Sequence, residues 1–480
     1  MRIRHPTSNI ERPTPNGVRD AGSLDVGRSM LNVECSPLQR GSVLIIVLWV
    51  AIGLVSIALY FANSMSYELR ASDNRVNGLA SGQAIEGAAR YVAYVLEMYS
   101  TNGAVPDPSQ YSAANVPIGD AHFWLIGRDP SGTPSSEPYF GLVDEASRLN
   151  LNTVNTNVLS YLPNMTVDFA NAIMDWRGTN GSVSLDYATL GYVAKNAPFE
   201  TVDELRLVYG ATPELLAGDD VNRNGVLDAN EKDLIGNGQV ESGLLEYTTV
   251  YTREPNFHSD GTMLTNINTL PAREIYTFLQ DEGVGNATAM ATSISNYLHP
   301  AGATARTFNG MVDFAVRCRN FGMASADFSK MVDDVTTSSN TYIRGRINVN
   351  TASADVLTAL FMGLNVDEAS ASGAAQTLVT YRTQNPNNLQ SVAWIIDALG
   401  VNNPVVVALQ GGDYLTTHSF QFTADIVAVG SYGRGYQRVK FIFDTSEGTP
   451  IILYRQDLSR LGWALGDKAR QTLLVNNTTQ

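Results

Sequence analysis

Residues 42–62, SVLIIVLWVAIGLVSIALYFA, are 21 residues without a charge. No other feature restricts the fold of this chain so strongly. At a rise of about 1.5 Å per residue, a helix over this run spans roughly 30 Å, one hydrocarbon core. Trp49 and Tyr60 are placed for the two interfaces. A secretory signal would be shorter and would end at a small-residue cleavage site. Residues 62–64, ANS, offer only a poor one, and the helical pattern runs through them. Beyond it, Ile85, Ala88, Ala89, Val92, Val95, Leu96 and Tyr99 recur at three- and four-residue spacing. That is one apolar stripe on a helix. The expectation is a single long N-terminal helix, half for a bilayer and half for packing on a soluble domain. Arg40 stands on the near side, so the positive-inside tendency leaves the body outside the cytoplasm.

The body is acidic. The formal net charge is −15, but residues 1–41 carry six Arg against four Asp and Glu. The rest therefore holds 26 basic and 43 acidic residues, a balance of −17. Such a surface repels phosphate backbones and argues against nucleic acid as a partner. The two cysteines, Cys35 and Cys318, fall on opposite sides of the apolar run, so removal of the upstream part leaves no intrachain disulfide. Cys318 reads as a structural or surface thiol. No GxSxG, HExxH, P-loop or CxxC occurs, and His5, His122, His258, His299 and His418 form no metal-spaced pair. The clusters Asp175–Trp176–Arg177 and Asp203–Glu204 read as helix surface and ion pairs. No catalytic residue is assigned, and the chain reads as a non-enzyme.

Three stretches repeat: RLNLNTVNTNVLSYL at 148–162, LTNINTLPAREIYTFL at 264–279 and RINVNTASADVLTAL at 346–360. Each has an apolar–Asn–apolar–Asn–Thr core followed by apolar residues at helical spacing. The physical reading is a short strand ending at a helix start. Thr153, Thr269 or Thr351, or the Asn before it, is expected to cap the first free N–H groups. Pro271 suits a first-turn position. The first and third units continue in the manner of helix–hairpin–helix elements, but their turns, LPNMTVDFA and MGLNVDEAS, carry no cation. From residue 418 the chain alternates in three stretches, HSFQFTADIVAVG, GYQRVKFIFDT and PIILYRQDL, which predict three antiparallel strands.

Residues 219–231, DDVNRNGVLDANE, carry a full set of EF-hand-type positions. Counting from Asp220, Asn222 and Asn224 fall at the third and fifth, Gly225 at the sharp turn, Val226 at the carbonyl position, and Asp228 and Glu231 at the ninth and twelfth. An all-oxygen set of roughly seven ligands suits Ca²⁺ better than Mg²⁺. A weak extracytoplasmic site of about 10⁻⁴–10⁻³ M is the natural reading, because the flanks are not two long amphipathic helices. In the next segment Asp233, Asn237, Gly238 and Glu241 fit four positions of the same pattern, while Ile235 and Leu244 fail two others. Calcium here would be structural, gathering acids that otherwise repel one another.

The N-terminal junction resembles the type IV pilin and pseudopilin family. Its members have a basic leader ending in Gly, cut on the cytoplasmic face by a prepilin peptidase. The resemblance puts cleavage between Gly41 and Ser42, and Met30 offers a start that gives a leader of the usual length. Most members have Glu at the fifth mature position; here it is Ile46. A mid-membrane charge costs at least about 2.5–3.5 kcal/mol unless paired. The K-type minor pseudopilin of type II secretion lacks that Glu, and the body motifs DEASRLNLNT, AIMDWRG, NAPFETVDELRLVYGATPELL and RINVNTASADVL are similar to that family. The resemblance implies an α+β fold, with the long N-terminal helix packed on a small antiparallel sheet and a large helical insertion containing helix–hairpin–helix-like units. It implies one calcium ion, or two with Asp233, Asn237 and Glu241 holding the second. It also implies minor pseudopilins I and J as partners at a pseudopilus tip, with other pseudopilus subunits below, and a single-pass inner-membrane anchor with a periplasmic body. The expected organisation is leader 1–41, membrane half 42–62, helix and first strands 63–152, calcium-bearing insertion 153–345, second helical unit 346–415 and C-terminal strands 416–480. The rival readings are a plain membrane anchor, a membrane-anchored DNA-uptake protein using the hairpin units, and a calcium-dependent envelope hydrolase.

Overall fold

The computed structural model describes residues 42–132, 135–179 and 187–478. The leader, with Gly41 and Met30, lies outside them. The described residues fall into two compact units that divide between Leu69 and Arg70. One helix, Ser42–Tyr99, carries the expected pattern. It is long and apolar enough to cross a membrane. In the first unit its large apolar side chains are exposed, Ile46 among them.

In the second unit an antiparallel sheet forms from β1 (Val116–Ile118), β2 (Ala121–Ile126), β3 (Val143–Asp144), β4 (Gln421–Val429), β5 (Gln437–Asp444) and β6 (Ile451–Asp457). The order is β1-β2-β4-β5-β6, with β3 also paired to β4. Ile426 lies opposite Leu125 and Val439, and Ala424 opposite Phe441. The three strands expected after residue 418 are β4, β5 and β6. The α+β class with a long N-terminal helix is the observed one.

The helix stripe is buried where it was read. Ala84, Ile85, Ala88, Ala89, Val92 and Leu96 pack with Phe123, Leu125, Ile426, Phe441 and Phe443. Small side chains let the helix approach closely: a Cβ on Gly87 would stand 3.2 Å from Ile118 Cδ1. Full burial of each large apolar side chain is worth about 1.5–3 kcal/mol. Every residue of β4 is buried, because the helix covers one face of the sheet and other elements cover the second.

Between β3 and β4 lie the three repeated units. Each opens on a two-residue parallel ladder: Leu149–Asn150 with Thr248–Thr249, Thr265–Asn266 with Val335–Thr336, and Ile347–Asn348 with Leu415–Thr416. The first Asn of each unit accepts the N–H two residues on, at 2.9–3.0 Å. The second Asn reaches a distant segment: the Asn152, Asn268 and Asn350 amides donate to the carbonyls of Phe199, Phe308 and Leu389. Arg177 and Arg382, near the ends of later helices, close the turns by donating to Leu151 and Val154, and to Val349 and Ala352.

The cap expectation is corrected. Asn155 and Ser353 cap the helices after the first and third motifs, and Pro271 occupies the cap position of the second without a side-chain bond. The Thr hydroxyls turn back instead, donating to the carbonyls of Asn150, Asn266 and Asn348. The Asn-bonded turn uses two more residues before a helix can begin.

Candidate metal site

The loop 219–231 follows a short helix, Pro213–Ala217, that ends at Gly218. Gly218 has φ +68°, and a Cβ there would collide with the Glu241 carbonyl at 2.0 Å. The backbone then coils around its own side chains. Asp220 accepts the N–H groups of Asn224 and Gly225 at 2.9 and 2.7 Å. Asn222 Oδ1 accepts from Asn224 N at 3.0 Å, and Asn224 Oδ1 from Val226 N at 3.0 Å. Glu231 accepts from Asn222 N and Asp228 N, both at 3.0 Å. Gly225, at φ +86°, makes the bend that an L side chain would strain.

The structure therefore brings Asp220, Asn222, Asn224, Asp228 and Glu231 together, with Val226 as the next backbone link. The amides of Asn222 and Asn224 both donate to Asp228 Oδ2, at 2.5 and 2.9 Å. Two positive N–H edges thus meet one carboxylate where a cation would supply charge. Among the described residues no group of three or more His, Cys, Asp and Glu side chains is gathered tightly enough to hold a metal. The carboxylates and Asn oxygens nonetheless fit a hard cation chemically, since all are oxygen donors. Burial pushes Asp220 up to about 6, against the pull of Arg128, whose Nη2 lies 4.0 Å away.

Two arginines outside the pattern fix the loop. Arg438 on β5 has no exposed side-chain surface and pairs with Asp425 of β4 at 2.9 and 2.6 Å. It also donates to the carbonyls of Asn222 and Arg223. Arg128 follows β2; it donates to Arg223 O at 3.3 Å and pairs with Glu246 at 2.8 Å. Burial raises Glu246, but Arg128 and Arg148 outweigh it and hold the carboxyl below its ordinary value. Neither arginine was singled out in the sequence, and the basic residue inside a strand, QRVKF, is the only local hint.

In the second loop Asp233 accepts from Gly236, Asn237 and Gly238, and the Asn237 amide donates to Glu241 at 3.0 Å. Leu244, which breaks the pattern, is a core residue instead. Ser42 begins the N-terminal helix. Cys318 is buried, and burial pushes its thiol up. In the polar clusters, Trp176 is buried, Asp203 meets Arg206 and Arg223, and Glu204 pairs with Lys195 at 2.9 Å.

No protein-family model matches the chain, and no curated protein matches it. A solved structure that is similar is described as the crystal structure of the GspK-GspI-GspJ complex from the enterotoxigenic Escherichia coli type 2 secretion system. Identity is 13%, the match covers 43% of this chain and 78% of that one, and the TM-score is 0.18. A superposition at that score carries no argument about this chain.

Proposed function

We propose that this chain is a K-type minor pseudopilin at the tip of a type II secretion pseudopilus. It would be anchored in the inner membrane with its body in the periplasm. With minor pseudopilins I and J it would help to start pseudopilus assembly and so protein export across the outer membrane. The observation that carries the reading is a pilin-like helix without its usual acid. The helix starts directly after Arg40-Gly41, holds Ile46 where a Glu is expected, and lays a small-residue stripe on an antiparallel sheet. In the assembly that Glu would pair with the charged N-terminus of a neighbour; Ile46 has no such use for a neighbour. The large insertion between β3 and β4 adds bulk that disfavours a subunit stacked above. Calcium at Asp220, Asn222, Asn224, Val226, Asp228 and Glu231 would hold that insertion in shape, with Asp233, Asn237 and Glu241 as a second place for an ion.

The test is the N-terminal mass of the membrane-extracted protein, with and without prepilin peptidase. A chain beginning at Ser42 only with the peptidase supports the reading. A chain that keeps its leader in the presence of an active peptidase refutes it.

A further inference from the structure

The loop 219–231 meets a segment more than two hundred residues away in sequence. Leu461–Trp463, which leads into the C-terminal helix Gly466–Thr478, closes a cavity of about 470 Å³ with Asn222, Asp228 and Asn230. The Asn222 amide is divided between the two sides. It donates to Asp228 Oδ2 at 2.5 Å within the loop and to the Trp463 carbonyl at 3.1 Å outside it. The two N–H bonds of the amide are then both used, and the closer contact is the one to Asp228.

The strand that clamps the loop also holds this segment. Arg438 of β5 donates to the Asn222 and Arg223 carbonyls. Two residues before it, Tyr436 donates its O–H to the Gly462 carbonyl at 2.8 Å. The Trp463 ring lies 5.3 Å from the Tyr436 ring, and the Arg470 guanidinium 5.2 Å from the Trp463 ring centre. Ala464 and Leu465 are buried with Trp124, Ile126, Val427 and Val429, on the face of β2 and β4 opposite the N-terminal helix. Beyond them Asp467, Lys468 and Arg470 are exposed. A terminal segment held by so few buried side chains opens locally before the rest of the fold does, so one shared hydrogen bond shifts its equilibrium.

We propose that Leu461–Arg470 is a strap fastened by calcium in the loop, a proposal that rests on the calcium reading above. Without calcium, the Asp228 carboxylate draws the Asn222 side chain inward, away from Trp463. With its charge met by calcium, Asp228 no longer needs that amide, and Asn222 keeps the Trp463 carbonyl as its partner. Opening of the strap exposes Trp124, Ile126, Val427 and Val429, so loop occupancy controls access to an apolar face of the sheet. The coupling is reciprocal: a fastened strap raises calcium affinity by the factor by which calcium favours fastening.

The experiment is amide hydrogen exchange of the full chain in detergent, in chelator and in about 100 mM calcium chloride, with ionic strength matched by sodium chloride. The helix Ala287–Leu298 serves as the control for a general gain in stability. Calcium should slow exchange in 219–231, and in 461–470 by at least about fivefold more than in the control. Leu465→Asp places a carboxylate on the apolar face and releases the strap, and calcium affinity should then fall at least about fivefold by calorimetric titration. The exchange comparison in the unaltered chain decides the matter whether or not that variant folds. Slowing in 219–231 with none in 461–470 overturns the strap and leaves the calcium reading standing. Equal slowing in the control, or unchanged calcium affinity in folded Leu465→Asp, also overturns the strap. No calcium effect in 219–231 removes the calcium reading and the strap together.

Discussion

The two acidic loops share one hydrogen-bond scheme and differ in what surrounds it. In both, an Asp collects N–H groups from the turn, Asp220 in the first and Asp233 in the second. In both, an Asn amide reaches a later acid, Asn224 to Asp228 and Asn237 to Glu241. Both bend at a glycine with positive φ, Gly225 and Gly238. Yet Asp220, Asn222 and Asn224 are buried, whereas residues 234–239 are exposed. The first loop is clamped to the sheet by Arg438 and to Glu246 by way of Arg128; the second is held mainly by itself. A local pattern can build the same cage twice, but burial and long-range anchors decide how much stability the cage carries.

Removing the anchor should produce the largest effect. Arg438→Met leaves Asp425 as an uncompensated buried charge and frees two loop carbonyls, so a loss of about 3–5 kcal/mol is expected. Urea unfolding of the two proteins measures it. A loss as small as that of an exposed ion pair such as Arg455–Glu86 would mean that the sheet does not hold the loop.

The next effects separate charge from metal. In metal-free protein, Asp220 is raised by burial from 3.8 to about 6. Its contribution is therefore fully present below pH 3.8 and is lost as pH rises through about 6. Asp220→Asn removes this dependence. At pH 7 without calcium the variant should be the more stable by about 2–3 kcal/mol, with the two proteins converging near pH 4. Calcium should close this gap at pH 7, since ion at a hundredfold its Kd stabilises the wild type by about 2.7 kcal/mol. Differential scanning calorimetry in chelator and in calcium gives both comparisons. A wild type indifferent to calcium at about 10–100 mM, a hundredfold the expected Kd, would remove the metal from the account.

How much of this was legible follows from the range of each interaction. The helix stripe at Ile85, Ala88, Val92 and Leu96 and the tail strands β4–β6 were readable because burial imposes a short period on sequence. The loop positions Asp220 to Glu231 were readable because their bonds stay within twelve residues. Arg438 was not, because its partners Asn222 and Arg223 lie more than two hundred positions away. The ladder partners occupy a middle ground. Thr249, Thr336 and Thr416 stand opposite the first Asn of each unit, and each belongs to a Thr-Thr pair (248–249, 336–337, 416–417) that stood in the sequence beside the Asn-Thr motif. The cap was misread because a Thr before a helix has two uses. Once the preceding Asn has closed a turn on its own backbone, the Thr hydroxyl is nearer a carbonyl behind it than an N–H ahead.

The smallest effect offers the closest comparison, because the same substitution falls at the same position of each cage. Asn224→Ala takes a fully buried amide from Asp228 and its oxygen from Val226 N. Water cannot replace either bond there, so about 1–3 kcal/mol should be lost. Asn237→Ala deletes the matching bonds to Glu241 and Gln239 N, but both groups stand at the surface and water takes over. Its cost should stay within about 0.5 kcal/mol. Parallel urea titrations in chelator read the pair without interference from metal. Equal losses would mean that the cage itself, rather than its burial against the sheet, carries the stability. A gap that widens when calcium is added would locate the ion in the first loop, because only there would the substitution remove a ligand as well as a hydrogen bond.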